Sequence, residues 1–167
     1  MAILREHQDL LRHSVAIYSD DLRYRYSLTR IWGDGPKISF VMLNPSTATE
    51  VQNDPTVERC ERRARAMGYG AFRVVNIFGF RATDPRDMRA AADPIGPDND
   101  AAIMAAAGWA DMVLCAWGTH GAHLARGALV AQMLAGYDLH HLGLTQAGDP
   151  KHPLYISYAK RPESWLS

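Results

Sequence analysis

Asn44 closes an apolar run in "KISFVMLNPSTATE" (residues 37–50) and is followed by Pro45, Ser46 and Thr47. A carboxamide carries both a donor and an acceptor, so it can pair with the edge of a nucleobase or hold a water for attack. It can equally turn the chain by bonding its own backbone. Similar chemistry follows three other apolar runs. Asn76 leads into "FGFRATDP", with Phe78, Phe80 and Arg81; the third run ends in "WGTHG", with Trp117, Gly118 and His120; the fourth leads into "TQAGDPKHPLY", with Thr145, Gln146, Lys151, His152 and Tyr155. Amides, aromatic rings and a histidine together suit a flat, neutral, hydrogen-bonding ligand better than a triphosphate, because rings stack on its faces while amides read its edge. The chain has no serine-elbow pentapeptide, glycine–lysine phosphate loop or dinucleotide fingerprint.

Among the histidines, His152 is the preferred chemical group: it stands in a late loop beside Pro153, which restricts its backbone. His120 and His123 could share one helix face and a metal, but no third ligand is spaced to complete a zinc set, so capping or surface roles are expected and no metal site is assigned. His140 and His141 alternate along a strand and cannot both face one site. Arg59, Arg62, Arg63 and Arg65 fall on one helix, where a solvated face is the default and a phosphate-tracking patch the sharper reading.

These groups need a scaffold that brings loop ends together. Residues 38–43, 72–78, 112–117 and 139–144 read as short buried strands, separated by helices over 55–67, 98–108 and 120–135. That alternation predicts βαβ crossovers and a parallel sheet with helices on both faces, whose strand ends converge on one rim. Upstream, residues 15–19 and 23–32 read as an antiparallel hairpin or edge ribbon, with Tyr24, Tyr26 and Leu28 opposed to solvent-facing Arg23, Arg25 and Ser27. Asp54-Pro55 caps the first helix and Gly68 ends it; Asp84-Pro85 and Asp93-Pro94 can start short helical turns.

The length of 167 residues predicts one domain, with an N-terminal helix or hairpin extension over 1–36 and a core over 37–158. Eighteen basic residues balance eighteen acidic ones, so no global field draws the chain to nucleic acid or a membrane surface. Cys60 and Cys115 read as buried thiols of a reducing cytoplasm, and no apolar run approaches a membrane span, so a cytoplasmic protein is expected.

The stretches "MLNPSTA", "NDPTVERC", "VNIFGFRATDP", "DPIGPDND", "AWGTHG" and "GDPKHPLY" resemble a bacterial family of uncharacterised proteins (DUF1643), over about residues 15 to 158. "LNPS", "VLCAWG" and "HPLY" are similar to motifs of the uracil-DNA glycosylase superfamily. That resemblance implies a three-layer α/β/α sandwich around a four-stranded parallel sheet of order 2-1-3-4. It implies that Asn44 positions the attacking water and that His152 supports the departing base. Pro45, Ser46, Thr47, Asn76, Phe78, Phe80, Arg81, Trp117, Gly118, His120, Lys151 and Tyr155 are then expected around the substrate, with Phe78 or Phe80 stacking on a base and Asn76 or Thr47 reading its edge. The expected activity is hydrolysis of an N-glycosidic bond to a nucleobase in DNA, without a cofactor. A non-catalytic nucleotide, modified-base or RNA-binding module and a small-molecule nucleoside or nucleotide hydrolase are the alternatives. The chain departs from the superfamily in lacking "GQDPYH", "HPSPLS" and the four cysteines of the iron–sulfur branch.

Overall fold

An eight-stranded mixed sheet organises the protein, whose computed structural model describes residues 2–166. In chain order the elements are β1 (Ala2–Gln8), β2 (His13–Ser19), β3 (Arg25–Ile31), β4 (Lys37–Met42), α1 (Pro55–Ala66), β5 (Ala71–Asn76), α2 (Pro85–Ala90), α3 (Asn99–Trp109), β6 (Met112–Cys115), a 3-10 segment (Thr119–Ala125), α4 (Arg126–Met133), β7 (Leu139–His141) and β8 (Glu163–Trp165). The strand order is β1-β2-β3-β5-β4-β6-β7-β8. β4 pairs in parallel with β5 and β6, and β6 with β7, while the flanking pairs are antiparallel.

The expectation of a four-stranded sheet is therefore corrected to eight. Hydrogen bonding across Leu28↔Val74 and its neighbours joins the N-terminal ribbon edge-on to β5, so the ribbon extends the sheet. β1, with Arg5 and Glu6 among its exposed positions, and the three-residue β8 close the two edges. The N-terminal extension contains strands and no helix among the described residues.

Alternation along β4 explains the two cores. Ile38, Phe40 and Met42 join Val57, Cys60 and Ala64 of α1 on one face. Val41 on the other meets Ile103, Ala106 and Ala107 of α3 and Val130 and Ala131 of α4. Both cysteines are buried free thiols.

Three local expectations change. Residues 120–135 do not form one helix: Leu124 and Ala125 adopt positive φ (55° and 52°), breaking the 3-10 segment from α4. Asp84-Pro85 does start α2, but Asp93 instead bonds Ile95 N and Gly96 N in a tight turn without a helix. Arg25 and Ser27 of β3 are 1% and 6% exposed, not solvated; residues 48–53 fold back over the strand and offer carbonyl groups to Arg25 and to the equally buried Arg30.

Candidate functional site

The C-terminal end of β4 is stitched to the chain beyond β5. Ile77 N donates to Met42 O, Phe78 N to Leu43 O, and Ala82 N to Pro45 O. Asn44 sits inside this seam, and its Nδ2 donates to Ala82 O (2.8 Å) and Pro45 O (3.1 Å). Two carbonyl partners orient the carboxamide, leaving Oδ1 as an acceptor with no hydrogen bond among the described residues. Asn44 thus forms the turn and also presents one polar atom.

Asp54 reaches the same place from the start of α1. Its Oδ1 accepts from Val57 N (2.8 Å) and its Oδ2 from Ala48 N (3.2 Å), so one carboxylate caps the helix and closes the loop that begins at Asn44. His152 enters from the last loop, which is docked by the hydrogen bond from Gly118 N to Pro150 O. Leu154 N donates to His152 Nδ1 (3.2 Å), which places the proton of the neutral ring on Nε2. Burial lowers the imidazole's pKa, opposed by the nearby Asp54 charge.

Asn44, Ser46, Asp54, Trp117, His120 and His152 line a cleft of about 400 Å³ at these strand ends. Trp117 lines the cleft at 1% exposure, and its core-packed indole is held by Gly121 and Gly127: a Cβ on either would come within 2.1 Å or 2.6 Å of the ring. Gly118, at φ 74°, brings the backbone beside the His152 Cβ. At the outer wall Arg89 Nη1 lies 2.6 Å from His120 Nδ1. An annex of about 40 Å³ shares Asn44, Ser46, Asp54 and His152 with the cleft and adds Arg25, Pro45 and Asn76.

The structure brings together Asn44, Pro45, Ser46, Asn76, Trp117, Gly118, His120 and His152. Thr47, Phe78, Phe80, Arg81, Lys151 and Tyr155 line neither cavity. Phe78 is fully buried in the α3/α4 core against His123, so it cannot stack on a ligand in the cleft. Phe80 packs edge-on against Tyr24, and Arg81 donates to Leu22 O and lies over Tyr18. Thr47 and Lys151 are exposed, and Tyr155 is 90% exposed.

The basic helix is largely engaged within the chain. Arg59 donates to Pro153 O and Ile156 O, Arg63 to Ile156 O, Ser157 O and Lys160 O, and Arg65 to Glu61. Arg62 faces solvent beside Glu58. These contacts fasten the segment that carries His152. Sequence reasoning passed over Arg25, whose alternation with Tyr24 and Tyr26 gives no sign of the loop that covers it, and it took Asp54 chiefly as a cap. The aspartate–proline pair did mark Asp54's position, but not the cleft it would line. No group of three His, Cys, Asp or Glu side chains among the described residues could hold a metal ion, and no described helix is long and apolar enough to cross a membrane.

The family model described as "Protein of unknown function (DUF1643)" matches residues 25–154. The chain belongs to this family. The matched segment of this DUF1643 protein contains every residue lining the cleft and its annex and leaves out β1, β2 and β8. No curated protein and no solved structure matches the chain.

Proposed function

We propose that the strand-end cleft binds a nucleobase and that the protein hydrolyses the N-glycosidic bond joining it to its sugar, as the likeness to the uracil-DNA glycosylase superfamily implies. The observation that carries this reading is Asn44, whose donor group is fixed by two backbone carbonyls and whose Oδ1 is left open beside Asp54 and His152. In this reaction the C1′–N bond breaks and its electron pair leaves with the base, while a water oxygen bonds to C1′. Asn44 Oδ1 orients that water by accepting one of its hydrogens; a carboxamide is too weak a base to remove the proton. Asp54, the one carboxylate on the cleft wall, takes the water's proton and returns it to solvent. His152, neutral and protonated on Nε2, donates to the base as charge gathers there.

The cleft volume of about 400 Å³ falls in the range of small-molecule sites. With Arg59, Arg63 and Arg65 engaged internally, the basic helix offers only Arg62 freely to a duplex backbone, which favours a nucleoside or a single-stranded end over duplex DNA. A second reading, recognition without turnover, is favoured by one feature: both Asp54 oxygens already accept backbone N–H groups, so the carboxylate is engaged in capping α1 and closing the loop.

The test is a single-turnover assay with protein in excess over nucleosides and over single- and double-stranded oligonucleotides carrying uracil, hypoxanthine, xanthine or a mismatch. Free base is followed by chromatography. Release from any substrate that is lost in Asn44→Ala supports hydrolysis. Saturable binding without release by the wild type overturns hydrolysis in favour of recognition.

A further inference from the structure

Two arginines of β3 lie under the same loop, and their surroundings differ. Arg30 is completely buried and well supplied with acceptors. Its Nε and Nη2 donate to Asn53 Oδ1 (2.9 and 2.7 Å), Nη2 also to Thr49 O and Gln52 O, and Nη1 to Glu50 O. Arg25 is 1% exposed yet makes one hydrogen bond, from Nη1 to Ala48 O (3.1 Å). Its Nε is sealed from solvent without a partner, and it forms no ion pair with any described residue. Asn76 repeats the pattern: it is 2% exposed, and its Oδ1 is buried without a partner.

Both side chains line the annex that opens off the cleft floor. A buried guanidinium with most of its donors unfilled is strongly disfavoured unless something completes it, and the Asp54 charge acts on it through space without a hydrogen bond. Burial brings the Arg25 pKa down to about 10, so the group remains cationic at neutral pH. Asp54 shares the annex wall, but its oxygens already accept Val57 N–H and Ala48 N–H. The donors without an acceptor are those of Arg25.

We propose that Arg25 is a ligand-binding group and that the annex takes an oxyanion, a negatively charged oxygen of a planar ligand set against the unfilled donors of the guanidinium. The annex volume of about 40 Å³ admits a group of a few heavy atoms and no more. The charge has two sources. The ligand carries it when bound, as a carboxylate does, or a carbonyl oxygen of the base acquires it as the C1′–N electron pair is delocalised onto the ring. The second source rests on the N-glycosidic reading; the first does not.

Binding of benzoate and benzamide to the full chain, two planar probes of nearly equal size that differ in charge, reads the first source without any turnover. Benzoate is expected to bind at least about tenfold more tightly, Arg25→Gln to remove the preference, and Arg25→Lys to keep part of it. Base release from 5-fluoro-, unsubstituted and 5-methyl-2′-deoxyuridine reads the second. There Arg25→Gln is expected to slow the poorest leaving group at least about tenfold more than the best. Either preference supports the proposal and identifies the source. Equal binding of the two probes, undetectable binding of both included, overturns the ground-state source. If Arg25→Gln also slows all three substrates alike, or if the wild type releases no base, the proposal as a whole is overturned. A charge preference in a wild type that releases nothing upholds the annex and defeats only the hydrolytic reading. The wild-type probe comparison needs no variant, so a poorly folded Arg25→Gln leaves the proposal falsifiable.

Discussion

Replacing Asp54 separates its structural role from its chemical one. The side chain is 8% exposed and accepts from Val57 N at 2.8 Å and from Ala48 N at 3.2 Å. Asp54→Ala removes both acceptors. Loss of the cap costs about 1 kcal/mol, and a buried Ala48 N–H without a partner adds about 2 kcal/mol. For a chain of this length each kcal/mol moves Tm by about 3 °C, so Asp54→Ala should melt about 9 °C lower. Asp54→Asn keeps a carbonyl oxygen for Val57 N, and asparagine caps about as well as aspartate, but its NH2 replaces the oxygen that accepts from Ala48 N, so it should still lose about 2 kcal/mol. The asparagine nevertheless has no charge to set against Arg25 or His152 and cannot take a proton from water. Melting followed by circular dichroism, paired with single-turnover base release, therefore gives two separate readouts. Asp54→Asn should melt about 6 °C below wild type, short of the Asp54→Ala loss, and release base as poorly as Asp54→Ala. An Asp54→Asn protein with wild-type release would reduce Asp54 to a helix cap, and one that melts with Asp54→Ala would refute the division between cap and charge.

Three further outcomes follow from the packing. Burial lowers the pKa of His152 and His141, so the unfolded chain binds more protons than the folded one below about pH 6.5. Stability should hold above that value and fall on acidification toward the lower folded-state values; urea titrations at two pH values check this, and His152→Gln should narrow the difference. Gly121→Ala drives a Cβ to within 2.1 Å of the Trp117 ring and should cost about 2 kcal/mol or more, visible in melting and indole fluorescence, whereas Gly136→Ala, with nothing within 4 Å, should not destabilise. Arg63→Ala leaves the Ser157 and Lys160 carbonyls without their donor and Ile156 O with Arg59 alone; about 2 kcal/mol should be lost and limited proteolysis within residues 154–162 should quicken, while Arg62→Ala should lie within about 0.5 kcal/mol of wild type.

What was legible in the sequence was what local rules govern. The apolar runs that became β4, β5 and β6 could be read because each is buried on both faces, and α1 because Asp54-Pro55 starts it and Gly68 ends it. Asn44 and His152 could be placed at strand ends because a parallel arrangement puts such loops on one rim. The full extent of the sheet was not legible, because β1 and β8 carry little apolar pattern and exist through pairing with β2 and β7. Nor was the break at Leu124 and Ala125, where the fit of Gly121 against Trp117 overrides a helical stretch. Arg25 illustrates the limit most clearly. In sequence it belongs to the polar face of a ribbon, and only the return of residues 44–54 across β3 turns it into the floor of a cleft. Phe78 errs the other way: an aromatic in a rim segment whose ring the core takes.

The measurement that bears most directly on the central claim is the single-turnover rate of base release by the wild type and by Asn44→Ala, on the substrate that the wild type turns over fastest. Misplacing the attacking water should lower the rate about 10²-fold, with Kd for the substrate changed little, since Oδ1 faces the water and not the base. Equal rates for the two proteins, or no release from any substrate by the wild type, would contradict the account.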